Sequence, residues 1–104
     1  MMIARWSIDA KFGQKQTVIN LMKRWLDEVA PEAGFSPNDM RLLTGSIGAL
    51  ESTIQTEHSI KDLTELNQLW DKLAKIEAHK QWSKDLEPYV VSGTNRWEIF
   101  RILS

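Results

Sequence analysis

Chemistry in this chain has few places to start. His58 and His79 are the only histidines, and no cysteine is present to act as nucleophile, disulfide partner or soft metal ligand. The stretch LWDKLAKIEAHKQWSKDLEPYV sets His79 between Trp70 and Trp82, two of the chain's five tryptophans. An imidazole beside indoles offers proton transfer or hydrogen bonding against flat apolar walls. On an unbroken helix the nine steps from Trp70 to His79 place them on opposite faces, at about 100° per residue. A shared pocket therefore requires a break, and the periodicity supplies one. The apolar stripe of Leu63, Leu66, Leu69, Trp70, Leu73 and Ile76 stops at Glu77, and a new stripe of His79, Trp82 and Leu86 starts half a turn away. That predicts a second helical segment at a new angle, broken near Ile76 to Ala78 and ending before Pro88. Two readings of His79 follow: an acid/base group in a pocket, or a histidine on the wet edge of the helix with an ordinary pKa near 6.5.

The other candidates are weaker. His58 with Asp9 or Glu57 would make a carboxylate-histidine pair, but a polar strand face running into a helix cap accounts for it as well. No local spacing gathers histidines and carboxylates around a metal, so neither a metal nor a cofactor is expected. Trp25 is centred on a buried helical stripe and reads as core, whereas Trp6 and Trp97 can face either side of a sheet. A pocket between sheet and helices, walled by Trp6, Trp70 and Trp82 with Arg5, Ser7 or Arg96 as polar groups, suits a planar aromatic or polyketide-like ligand.

The elements that must position these residues are legible in the pattern. MIARWSID alternates, Met2, Ala4, Trp6 and Ile8 against Ile3, Arg5, Ser7 and Asp9, as a half-buried strand does. Val18, Leu21, Met22, Trp25, Leu26 and Val29 then fall at helical spacing, closed by Pro31 and Gly34. DMRLLTG and ALESTIQTEHS are β-prone runs joined through GSIG, a glycine-marked hairpin. The second helix opens at SIKDLTE, with Ser59 as N-cap, and TNRWEIFRIL is a terminal strand. The order β-α-β-β-α-β predicts an α+β, ferredoxin-like fold over residues 1–104: a four-stranded antiparallel sheet with helices on one face and both terminal strands central. Large apolar groups such as Phe100 and Ile102 on the uncovered face point to a partner sheet.

Composition narrows the partners. Thirteen basic against fourteen acidic residues leave a net charge of -1, too little field to draw nucleic acid or anionic lipid. KRW and NRW set arginine beside tryptophan, but no basic patch or RNA-binding motif accompanies them. The early charges of MMIARWSIDAKF do not suit a signal peptide, and no apolar run approaches membrane-span length, so a cytoplasmic protein is expected.

RLLTGSIGALESTIQTEHSIKDLTELNQLWDKL, followed by HKQWSKDLEPYV and RWEIFRIL, resembles the dimeric α/β-barrel superfamily, above all its NIPSNAP-like and antibiotic-biosynthesis-monooxygenase-like branches. The resemblance implies a homodimer whose two sheets close into a barrel, with a pocket in each protomer between sheet and helices. Haem-degrading members line that pocket with a tryptophan, a histidine and a first-strand asparagine. Trp70 and His79 sit at nearly those positions, but the first strand offers Arg5, Ser7 and Asp9 in place of the asparagine, a departure that counts against haem cleavage. What the resemblance leaves is a cofactor-independent monooxygenase or isomerase with His79 as the acid/base group, or else a non-enzymatic dimeric binding or interaction module.

Overall fold

The computed structural model describes all residues, Met1–Ser104. Strand β1 (Met2–Asp9) leads into helix α1 (Lys15–Arg24), a wide π turn (Trp25–Val29) and a last turn α2 (Ala30–Ala33). A hairpin of β2 (Met40–Thr44) and β3 (Thr53–Ile60) follows, then α3 (Leu63–Leu73), α4 (Glu77–Leu86) and β4 (Arg96–Arg101). The sheet order is β2-β3-β1-β4 with every pair antiparallel, the ferredoxin-like arrangement. Strand β1 is central, as expected, but β4 pairs with β1 alone and forms an edge. The split topology puts β1 and β3 in the middle, so the second terminal strand has only one neighbour.

Period-two alternation sorts the sheet into two faces. Ala4, Trp6 and Ile8 of β1 share the helix side with Ile54, Thr56, His58 and Ile60 of β3 and with Trp97 and Ile99 of β4. Ala4, Ile8, Ile54 and Ile60 are buried there beneath Val18, Met22, Val29 and Leu66 of the helical layer. The opposite face carries Arg5, Ser7, Glu57, Arg41, Leu43, Arg96 and Phe100. Glu57, only 4% exposed, is held by the Arg41 guanidinium and by that of Arg5 at 3.2 Å. Arg5 in turn lies 4.7 Å from the Phe100 ring centre, a cation-π contact.

Helix boundaries follow local chemistry. Pro31 has no N–H to offer the Asp27 carbonyl, and just upstream the ladder widens so that the Ala30 N–H donates to the Trp25 carbonyl five residues back. Pro31 thus lies inside the final turn rather than closing it. Gly34 closes it in the left-handed region, at φ 96°, and the Phe35 N–H reaches back to the Ala30 carbonyl. Ser59 is not the N-cap of the second helix. Strand pairing continues through Ile60, with Ser59 opposite Ile3, and the cap falls on Asp62, whose Oδ1 accepts the Glu65 N–H at 2.9 Å. The Glu65 carboxylate accepts from the Lys61 N–H at 2.6 Å, one residue before the cap, a variant of the capping box. The hairpin loop is longer than GSIG, because Ala49, Leu50 and Glu51 belong to it, and a Cβ on Gly45 would overlap the Leu50 carbonyl.

The helix break expected near Ile76 to Ala78 falls slightly earlier. Residues 74–76 leave the helix, and Ile76, extended at φ -91° and ψ 117°, starts α4. Its carbonyl accepts the His79 and Lys80 N–H groups, while Leu73 and Ile76 both stay in the core. No helix of the chain is long and apolar enough to cross a membrane.

Because Asp62 satisfies an otherwise orphaned N–H, Asp62→Ala is expected to cost about 1 kcal/mol in urea unfolding. Ser59→Ala, which removes no cap, is expected to leave stability within about 0.5 kcal/mol. The reverse ranking would place the cap at Ser59.

Candidate functional site

All five tryptophans converge. Trp6, Trp25, Trp70, Trp82 and Trp97, with Met22, Leu73 and Ala74, line a cavity of about 320 Å³ between the sheet and the helices. Only Thr56, His79 and Ser83 add polar side chains to its lining. Trp6 and Thr56 rise from adjacent central strands, Trp97 from the edge strand, Trp25 from the π turn, and Trp70 and His79 from opposite sides of the break. The rings meet at tilted or edge-on angles. Trp6 and Trp82 lie 6.2 Å apart between centres, Trp25 and Trp82 6.1 Å, and Trp70 and Trp97 5.3 Å. Trp97, on the edge strand, is 40% exposed.

Two indoles are fixed by their N–H groups. Trp82 Nε1 donates to the Leu21 carbonyl at 2.7 Å, and Trp25 Nε1 donates to His79 Nδ1 at 3.0 Å. The second bond decides the chemistry of His79. Indole N–H is a donor only, so Nδ1 must be the acceptor and the neutral ring carries its proton on Nε2. Burial pushes the His79 pKa below 6.5, and protonating Nδ1 would break the bond to Trp25. His79, stacked on Trp82 at 5.7 Å, is therefore a neutral Nε2–H donor rather than a histidine on a wet edge with an ordinary pKa.

The expected site residues divide cleanly. Trp6, Trp70, Trp82 and His79 line the cavity. Arg5, Ser7 and Arg96 lie on the opposite face of the sheet, because they alternate with the inward-facing Trp6 and Trp97. Arg5 is engaged with Glu57 and Phe100, and Arg96 with Glu98 at 3.4 Å. Trp25, read as core, is both buried and part of the lining, and Thr56 and Ser83 were not singled out at all. Pro31, which sits beside the π turn, was the available signal for Trp25; Thr56 announces itself only through its register opposite Trp6.

His58 is also misplaced by a reading of β3 as a solvated strand. It faces the helices, 3% exposed, with Phe35 edge-on at 4.8 Å and Trp97 edge-on at 6.1 Å. Neither ring nitrogen has a hydrogen-bond partner in the protein, and neither has the buried Nε1 of Trp70. Burial lowers the His58 pKa from 6.5 to about 4, against a smaller opposing pull from Glu65. No group of histidines and carboxylates is placed to hold a metal ion.

The His58 shift makes stability pH-dependent. The unfolded chain takes up this proton near pH 6.5 and the folded chain only near 4, so stability present above pH 6.5 is lost as the pH falls through that window. Between about pH 7 and pH 4.5, urea unfolding is expected to show the parent protein losing roughly 2–3 kcal/mol more than His58→Leu. Equal losses would show that His58 is not the titrating group.

No protein-family model matches the chain, and no curated protein matches it. Solved structures do. A NIPSNAP family protein from Agrobacterium tumefaciens superposes with a TM-score of 0.78 at 15% identity, over 98% of this chain and 86% of the other. An uncharacterized NIPSNAP-like domain protein from Burkholderia xenovorans gives 0.80 at 14% identity, over 99% and 85%. A Nitrosomonas europaea protein described as an antibiotic biosynthesis monooxygenase gives 0.68 at 7% identity, over the full length of both. At such identities it is the fold that is common: this chain has the ferredoxin-like α+β fold of NIPSNAP-family and antibiotic-biosynthesis-monooxygenase-like proteins.

Proposed function

We propose that the chain is a small-ligand-binding protein whose tryptophan cavity takes a planar aromatic or polyketide-like molecule, with one ligand oxygen bound by His79. The Trp25–His79 hydrogen bond carries this reading. An Nε2–H donor in an apolar cavity stabilises a carbonyl, enolate or phenolate oxygen, and it is already protonated where a base would have to be empty. No carboxylate lines the cavity. A substrate that reacts as an anion must therefore be acidic in itself, as phenols and 1,3-dicarbonyls are. That suits a cofactor-independent monooxygenase or isomerase in which the ligand supplies the carbanion, and the Nitrosomonas europaea neighbour supports the oxygenase form. The lack of a base favours the alternative, a non-enzymatic binding module, for any ligand that does not ionise by itself.

In this proposal the protein works as a homodimer, its open sheet face covered by a second copy. Leu43 and Phe100, both partly exposed around the Arg5–Glu57–Arg41 network, support that choice of face. Native mass spectrometry of the purified protein is expected to give twice the chain mass with a reproducible small adduct; a monomer would overturn the dimer.

The donor role is tested with a matched pair, 2-naphthol and naphthalene, followed by tryptophan fluorescence. Trp25→Phe frees His79 to take the Nδ1–H tautomer, and is expected to weaken 2-naphthol about five- to tenfold while leaving naphthalene within about twofold. Equal effects on both ligands would overturn the assignment of His79 as the oxygen-binding donor.

A further inference from the structure

The tryptophan cavity has a neighbour beside Trp82. A second, open groove of about 660 Å³ runs between the C-terminal half of α4 and the 90–95 connection, and it shares Trp6, Trp82 and Ser83 with the first. Its character differs. Lys11, Lys84 and Glu87 stand on its walls beside the polar Ser92 and Asn95. Neither lysine is paired with a carboxylate, so two free cations face one carboxylate. The floor is fixed by backbone bonds: Lys11 N–H donates to the Tyr89 carbonyl at 2.9 Å, and Val91 N–H to the Asp9 carbonyl at 2.8 Å. Thr94 Oγ1 accepts the Asp9 N–H at 3.1 Å and donates to the Val91 carbonyl at 2.7 Å, tying the connection to the end of β1.

We infer that cavity and groove form one composite site for an amphipathic ligand, a planar apolar ring system carrying an anionic substituent on a short tail. The inference rests on the cavity reading above and names the class of molecule it takes. The ring lies among the tryptophans, the tail passes over the edge made by Trp6, Trp82 and Ser83, and the anion lies between Lys11 and Lys84. Both lysines are exposed, so their pull on an anion is modest and screened by salt, and the adjoining apolar wall is what holds the tail near them. Glu87 weakens the field without cancelling it.

Two probes that differ only at the end of the tail test this: 4-(1-pyrenyl)butanoate and 4-(1-pyrenyl)butanol, followed by pyrene anisotropy. The parent protein is expected to prefer the carboxylate by about fivefold at low salt, and to lose that preference in roughly 0.5 M NaCl. Lys11→Gln with Lys84→Gln is expected to weaken the carboxylate about fivefold and to leave the alcohol within about twofold, while Glu87→Gln strengthens the carboxylate about twofold. Equal binding of the two probes by the parent protein, or equal loss of both in the double variant, would overturn the composite site and leave the cavity standing. Binding of neither probe would overturn the cavity reading as well.

Discussion

Three residues between two helices hold this site together. If α3 ran on unbroken into α4, Trp70 and His79 would point to opposite sides of one rod, and the cavity would lose either its outer wall or its donor. At Ala74–Ile76 the chain leaves the helix, and Ile76 becomes extended while its side chain stays in the core. The β-branched residue fits extended backbone well, and its carbonyl caps the restarted helix by accepting two N–H groups. The cost of breaking the ladder is limited because the freed groups find partners within the turn. The gain is that two faces, half a turn out of phase, come to look into the same space.

A second irregularity answers the first from across the cavity. The π turn at Trp25–Val29 lies beside Pro31, and it carries the indole that donates to His79. Two departures from α geometry, one in each helical half of the split βαβ plan, thus meet in a single hydrogen bond of 3.0 Å. That bond fixes a tautomer, not merely a position. With Nδ1 occupied by a donor, His79 keeps Nε2–H, and burial holds the ring neutral. With its partner known, the neutral ring has its N–H on Nε2.

Sequence patterning reaches the fold more readily than the site, for a physical reason. Alternation in MIARWSID and the stripes from Val18 to Val29 and from Leu63 to Ile76 report burial, and burial is what sorts layers. Phase even reveals the break, since His79 and Trp82 cannot continue the stripe of Leu69 and Leu73. Alternation alone, however, does not say which strand is an edge, nor which of two faces meets the helices. Arg5, Ser7 and Arg96 look like pocket polar groups beside Trp6 and Trp97, yet adjacency along a strand guarantees the opposite face. His58 misleads in the complementary way. Its polar neighbours Glu57 and Ser59 suggest water, whereas Ile54, Thr56 and Ile60 at even spacing share its buried face. Trp25 was hidden because core and cavity wall have the same hydrophobic signature.

That last ambiguity bears on what the cavity is. A tryptophan-heavy core would close its rings upon one another and bring small side chains in to fill the gaps. Here the indole rings meet at tilted or edge-on angles, 5.3 to 6.2 Å between centres, and still leave a cavity of about 320 Å³, while two of them are fixed in place by their N–H bonds to His79 and to the Leu21 carbonyl. The Leu21 carbonyl and His79 set where Trp82 and Trp25 stop. Aromatic walls whose orientation is set by directional bonds have less freedom to repack into the space between them. Turning Trp25 or Trp82 into that space would break the Trp25–His79 or the Trp82–Leu21 bond.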